Sequence, residues 1–548
     1  MNRYGVVRDK AYPVASLIWG HRLRNGQEWI EYLLEFLNVL SGFDYALGRG
    51  QSENDRYSRH TRLGLRRFVF YHEWEKTTHK YDHLARSRLL SNLKSQLISS
   101  DPLVTEQEAI ERLRALFLGL SALERERSWY AKSLLPIHEN LLMWEALRKG
   151  ATRRDAVSVD LSANNAHLDK GIDFSQRNFF ARGGELYYLF LSAGTETNPA
   201  RREAIEQGVQ RLLRNNHPIG ILAARIDTAW DSEVGGVSEG TMHYIPDTGR
   251  GLYEQIAEDV EALLEAALDP VEKLHLLAHL ICFHVVIYIY ALASPNASSA
   301  QDGALDLRAS LLVDALDGAD NGVLRKVSAT LFKVQEDSIQ RRARHFVQDR
   351  IAAWASETSS IASITELLES RLFNASDTSF SLGSKRSHEA AYQRFRQAGD
   401  QLEQGEISEQ DLLDRATEIV LDETIGDFRR HFLPIHRKLA KDIGFVAPKS
   451  GQNARYTLSD NLLKALTLAN IRQTKGALTY EAFLDRLYDR YGLIVGEKHA
   501  RASGLYQEQP INVEYYSRNQ HALLTKMRRA GLAHEYSDAT AIVTPFRS

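Results

Sequence analysis

The 548-residue sequence predicts a mainly α-helical, multidomain protein. Three observations point there. The length exceeds what one hydrophobic core ordinarily fills, which favours roughly two to four domains. Only 12 prolines interrupt long runs rich in Leu, Ala, Glu and Arg. A hydrophobic content of 43% with 25% charged residues is that of a soluble globular chain.

Charge and cysteine usage narrow the class. The net charge of −3 conceals a segregation. Residues 429–548 hold 19 Lys/Arg against 10 Asp/Glu, and residues 1–428 hold 49 against 61. Within the latter, 51–100 carries 10 basic and 5 acidic residues, whereas 251–320 carries 2 and 12. Such a distribution suits a protein that meets a polyanion at one end and basic partners elsewhere. The single cysteine, Cys282, excludes an intramolecular disulfide and a cysteine-based zinc cluster. A cytoplasmic location is expected, because the N-terminus (Met1 to Gly5) lacks the apolar core of a secretory signal.

The elements follow in order. Residues 14–47 carry apolar positions at helical spacing, with Trp29, Leu33, Phe36, Leu37 and Leu40 as a stripe. Residues 56–94 interleave cations and aromatics, including Arg59, Arg62, Arg66, Arg67, Phe68, Tyr71 and Trp74. Such a segment can neutralise phosphates and stack on bases, or form a solvated helix face whose rings point inward. His79 and His83 stand four apart there, but no third paired ligand accompanies them and no metal is expected. Thr105 and Glu108 have the spacing of a capping box. Leu134 to His138 and Phe432 to His436 share the tetrapeptide Leu-Pro-Ile-His, which reads as two unrelated helix starts, since Pro favours the first helical position.

Gly183-Gly184 opens an apolar helix and could offer N–H groups to an anion beside Arg182. No Lys-Ser/Thr follows, so a tight start to a buried helix is the expectation. Residues 226–250 hold Asp227, Asp231, Glu233, Glu239, His243 and Asp247, in no spacing that matches a nuclease, a glycosidase pair or a calcium loop. Leu274 to Ala293 is twenty residues without formal charge, long enough to span a membrane. Three histidines within it and acidic flanks favour a buried core helix. His275, His279 and Cys282 share a face, and core histidines are expected there in place of a metal site. Breaks near 294–299, 374–388 and 447–453 divide the rest.

The most legible part is C-terminal. Thr457 or Ser459 caps a helix burying Leu462, Leu463, Leu466 and Leu468. Thr479 caps a second, with Phe483, Leu484, Leu487, Tyr488 and Tyr491 inward and Gly492 at its end. Ser517 to Gln520 reads as a capping box opening a third helix, which ends at Gly531 after Lys526, Arg528 and Arg529. Ala533 to Tyr536 and Thr540 to Thr544 flank a hairpin turn. Helix, helix, helix and ribbon is the order of a winged helix-turn-helix. In that fold Arg518, Asn519, Gln520 and His521 would meet base edges, and Lys526, Arg528 and Arg529 would meet phosphates. Partner contact, or packing alone, is the competing reading.

Chemistry is less well supported. The chain carries no Walker motif, no G-x-S-x-G, no H-E-x-x-H and no dinucleotide fingerprint, so no catalytic residue and no cofactor is assigned.

Two stretches carry a resemblance. Arg455-Tyr456-Thr457-Leu458-Ser459-Asp460 with Leu462-Leu463, and Tyr491-Gly492-Leu493-Ile494-Val495-Gly496, resemble the C-terminal part of accessory proteins from multi-gene prokaryotic anti-phage loci, notably methylation-associated defence systems. The Phe180 to Leu189 stretch is similar to the same group. The resemblance implies an antiviral accessory subunit working with a DNA methyltransferase, ATPase or nuclease encoded elsewhere, and it supplies no catalytic residues.

Together these readings predict an N-terminal helical domain (1–150), a central one (151–293), a second helical domain (304–446) and a winged-helix domain (455–548). The expected function is a non-catalytic DNA-binding or scaffold subunit that contacts double-stranded DNA and other defence subunits and no membrane. The alternatives are an interaction scaffold without DNA contact, or a divergent metal-dependent nuclease drawing on Asp227, Asp231 and Glu233.

Overall fold

Helices dominate the chain, and short strands join segments far apart in sequence. A computed structural model describes residues 13–20, 25–49, 56–61, 135–142, 146–148, 172–174, 183–215, 218–223, 236–241, 250–294, 310–317, 322–358, 361–373, 384–449, 453–472, 476–536 and 541–545, with isolated positions elsewhere. It divides into two units, each assembled from separated segments. One comprises residues 1–25, 243–255 and 282–548, the other residues 26–242 and 256–281.

The stretch read as helical over 14–47 is two helices, α1 (Pro13–Trp19) and α2 (Trp29–Gly42). The first ends at Gly20, whose φ of 77° suits a residue without Cβ. α2 opens with a reciprocal cap: Glu31 accepts the Glu28 N–H at 2.7 Å while the Glu28 side chain accepts from the third helical residue. Leu33, Phe36, Leu37 and Leu40 are buried as expected, but so are Ile30 and Val39. α2 is therefore a core helix and not a one-faced surface helix.

The basic, aromatic-rich segment begins as a strand, β1 (Arg56–Thr61), and not as a helix. β2 (Ala146–Arg148) and β3 (Ile172–Phe174) form an antiparallel pair. After α3 (Gly183–Gly194) and α4 (Pro199–Leu213) comes β4 (Gly236–Thr241), which pairs antiparallel with β1 and sets Arg59 opposite Ser238 and Ser58 opposite Glu239. Pairing with a distant strand overrides the local helical pattern, a contact that periodicity cannot register. Arg62, Arg66, Arg67, His79, His83, Thr105, Asp227, Asp231, Glu233, His243 and Asp247 lie outside the described residues.

The Gly183-Gly184 helix start is a packing device. All twelve residues of α3 are buried. A Cβ at Gly183 would stand 2.1 Å from the Tyr32 ring, and one at Gly184 would stand 2.3 Å from the Phe36 nitrogen. The anion that takes the Gly184 N–H is the chain's own Glu35 carboxylate, at 2.8 Å, which also accepts from Gln27 at 2.8 Å.

α5 (Arg250–Glu265) precedes α6 (Pro270–Ala293). α6 is long and apolar enough to cross a membrane, and its apolar window is wholly buried inside the protein. His279 sits against Trp29, with ring centroids 4.8 Å apart, and its Nδ1 lies 2.8 Å from the His275 carbonyl. Burial, nearly complete at His279 and partial at His275, holds both imidazoles below their ordinary pKa and favours their neutral forms. Cys282 is buried, and burial pushes its thiol pKa up.

In the unit that holds the C-terminus, β5 (Leu311–Leu312) leads to the long α7 (Val323–Ala355), then α8 (Ile361–Leu372), α9 (Glu389–Glu403) and α10 (Glu409–Asp427). α7 packs on α8 and α10, and α9 packs on both of these. Ser408 and Asp411 form a capping box at the start of α10. A π-helical turn (Phe428–Phe432) joins α10 to α11 (Leu433–Asp442), and β6 (Val446–Ala447) pairs antiparallel with β7 (Arg455–Tyr456). The two Leu-Pro-Ile-His copies adopt different structures. Leu135 to Ile137 is non-helical, and His138 caps a short 3-10 turn by accepting from the Asn140 N–H. Leu433 to His436 instead starts α11, with Pro434 in its first turn.

The chain ends with α12 (Asp460–Asn470), β8 (Leu478–Thr479), α13 (Tyr480–Tyr491), β9 (Leu493–Ile494), α14 (Glu497–Ala502), α15 (Leu505–Glu508), α16 (Val513–Arg529), β10 (Ala533–Glu535) and β11 (Ala541–Val543). β10 and β8 both pair antiparallel with β11, giving the order β10-β11-β8. β5 adds to β9 in parallel, so a strand that precedes α7 completes this C-terminal region.

Candidate nucleic-acid interface

The caps predicted for the first two C-terminal helices are in place. Ser459 accepts the Leu462 N–H and Thr479 accepts the Ala482 N–H, both at 3.3 Å. Gly492 closes α13 in the left-handed region, with φ of 70°. The third helix starts earlier than the Ser517 capping box predicts. Asn512 is its N-cap, accepting the Glu514 N–H at 3.0 Å. The earlier start extends the apolar face by one turn, to Tyr516, which is fully buried alongside Leu523 and Met527. Burial pushes the Tyr516 hydroxyl pKa up to about 12.

The predicted contact residues fall on different faces of α16, because Asn519 stands four positions before the buried Leu523 whereas Arg518 and His521 point away from it. Asn519 faces inward and is wholly buried. Its Nδ2 donates to the carbonyls of Val313 and Val495, each at 2.9 Å, and its Oδ1 accepts the Ala315 N–H at 2.8 Å. Asn519 therefore cannot read a base edge; it fastens the strand from 311–313 to the chain after β9. Gln520 is half-buried and its amide donates to Glu481, while its own carbonyl accepts the Tyr480 hydroxyl at 2.7 Å. Lys526 donates to the Leu458 carbonyl at 2.5 Å and lies 3.3 Å from Asp460. Arg528 pairs with Glu535 of β10 at 2.5 Å, tying the helix end to the hairpin.

Glu514, Ser517, Arg518, His521, Arg528 and Arg529 remain exposed. Positions 514, 517, 518, 521 and 528 follow helical spacing and form one solvent stripe along α16. The side chains of His521 and Arg529 make no hydrogen bond or ion pair among the described residues. Arg59 of the second predicted patch lies on β1, and its companions Arg62, Arg66 and Arg67 are outside the described residues.

Residues 311–317 support this face from behind. Asp314 is buried and accepts from Arg455 Nε at 2.7 Å, and Arg455 also reaches Asp317. Arg325 of α7 pairs with Asp317 at 3.0 Å. The Ser328 hydroxyl donates to the Leu312 carbonyl at 2.7 Å and accepts the Tyr456 N–H at 2.9 Å. Buried polar groups with this many partners fix one register. This segment has no counterpart among the sequence expectations, although Val-Asp after Leu-Leu at 311–314 carries a signal: a carboxylate at the end of an apolar strand demands a cation.

No protein-family model, curated protein or solved structure matches this chain.

Proposed function

We propose that residues 455–543 act as a winged helix-turn-helix on duplex DNA, with α16 offered to the major groove and β10–β11 as the wing. The observation that carries this reading is the solvent stripe of α16, where Ser517, Arg518 and His521 stand on a helix whose opposite face is locked into the core. That helix runs directly into an antiparallel hairpin backed by a third strand, which is the order such a module requires. Arg518 and His521 are the base-edge candidates and Arg529 the phosphate candidate; Asn519 and Gln520 drop out because their amides serve the fold. The module departs from the simplest version of the motif, since β9, α14 and α15 lie between α13 and α16. The remaining helices provide a scaffold, and the chain is read as a non-catalytic subunit. Its place in a phage-defence assembly rests on the sequence resemblance alone.

Binding of the full chain to duplex DNA across a salt series tests this. The reading expects binding at about 50 mM salt that weakens steeply by about 200 mM. No binding at the lower salt would overturn it. The full chain is required because a fragment beginning near residue 445 lacks residues 311–317, which Asn519 and Arg455 hold. A scaffold reading without DNA is favoured by one observation: Tyr536, at the end of β10, is 58% exposed and offers an aromatic anchor to a protein.

A further inference from the structure

The π-helical turn at Phe428–Phe432 carries an observation that the C-terminal module does not use. A π turn widens the helix by one residue, costs backbone regularity, and recurs at functional sites. Here the widening brings Phe428 and Phe432 over one another, with centroids 5.3 Å apart and planes at 25°. Both rings pack on Trp19, at 6.0 and 4.3 Å. The disturbed ladder is repaired from outside, because the His431 carbonyl accepts the Asn25 N–H at 2.9 Å. The turn is thus anchored on its apolar side.

Between the anchors, Arg429 and Arg430 project into solvent. Neither guanidinium has a hydrogen bond or an ion pair among the described residues. Nearby cations differ: Arg437 is clamped on Glu336 at 2.5 and 2.7 Å, and Lys438 pairs with Asp442 at 2.8 Å. The C-terminal dipole of α10 accounts for tolerance of positive charge at this place. It does not account for the lattice of aromatic and backbone contacts that holds two adjacent arginines outward.

We propose that Arg429 and Arg430, presented by the π turn, form a second contact of this protein with the phosphate backbone of duplex DNA, separate from α16. The proposal rests on the DNA reading above and adds a site to it. Arginine presents a planar fork of donors that matches phosphate oxygens. A pair of such contacts adds affinity without sequence preference.

The test uses the full chain and mixed-sequence duplexes over a salt series. R429A/R430A is expected to bind about tenfold or more weakly at low salt and to flatten the slope of log K against log salt by about 1.8, two phosphates' worth. All sequences should be affected alike. R429K/R430K should retain the slope. R344A removes an arginine already paired with Glu418 and should leave the slope unchanged. If the alanine pair melts early, R429Q/R430Q repeats the comparison with the stems kept. Wild-type protein that binds while R429A/R430A shows the wild-type slope overturns this site and leaves the α16 reading standing. Wild-type protein that binds no duplex overturns both.

Discussion

Asn519 Nδ2 donates to the Val313 carbonyl at 2.9 Å, across 206 positions of sequence. With the Val495 carbonyl and the Ala315 N–H as further partners, this one amide joins three stretches of main chain at a buried point. One of the four side chains expected at base edges is therefore the fastening of the module that carries it.

Asn519→Leu should leave three buried main-chain groups without partners. At about 1–3 kcal/mol for each group, the loss is about 3 kcal/mol or more. Denaturant melts followed by tryptophan fluorescence would register a lower midpoint. A stability equal to wild type would show that the clasp is dispensable.

Asp314→Asn should be comparably damaging, because it leaves the mostly buried Arg455 guanidinium with only the exposed Asp317 as a charged partner. Breaking a buried pair from one side costs about 3–5 kcal/mol, and replacing both partners by apolar groups of similar size often recovers it. The double variant Asp314→Leu with Arg455→Met is expected to melt above Asp314→Asn.

Acid should weaken this unit through Glu336. Burial pushes its carboxyl pKa up, but the His436 ring 3.4 Å away and the hydrogen-bonded Arg437 guanidinium outweigh that and hold it below the ordinary glutamate value. A depressed folded-state pKa gives stability that is present above the unfolded value and lost as pH falls through the folded one. The stability difference between wild type and Glu336→Gln should accordingly be constant above about pH 5 and shrink below it. A difference independent of pH would contradict the pairing.

Gly184→Ala should disrupt the other unit, since the added Cβ would meet main chain 2.3 Å away. Overpacking against backbone costs about 1–3 kcal/mol or more. Circular dichroism melts of Gly184→Ala against wild type measure it. Gly251→Ala, where a Cβ meets nothing within 4 Å, serves as the control.

These residues also mark what a single sequence discloses. Signals that act within one turn were legible, the Ser459 and Thr479 caps and the left-handed Gly492 and Gly531, and so was the continuous apolar run of α6. Two local signals competed at the start of α16. Ser517-x-x-Gln520 has capping-box spacing, yet Asn512 caps one turn earlier and brings Tyr516 into the core. Asn519 lies between Tyr516 and Leu523 on that buried face. The rest depended on pairing at long range. The β1–β4 ladder, the addition of β5 to β9 and the Asp314–Arg455 pair have no local periodicity to betray them. The π turn was hidden for another reason, since one inserted residue leaves the helical pattern on either side intact.

The most direct measurement is the sequence preference of the full chain, selected from a randomised duplex pool, compared between wild type, R518A/H521A and Q520A. The account predicts that wild type selects a preferred sequence, that R518A/H521A loses or changes it, and that Q520A keeps it. A preference unchanged in R518A/H521A, or altered by Q520A alone, would contradict the assignment of the exposed α16 stripe as the reading face.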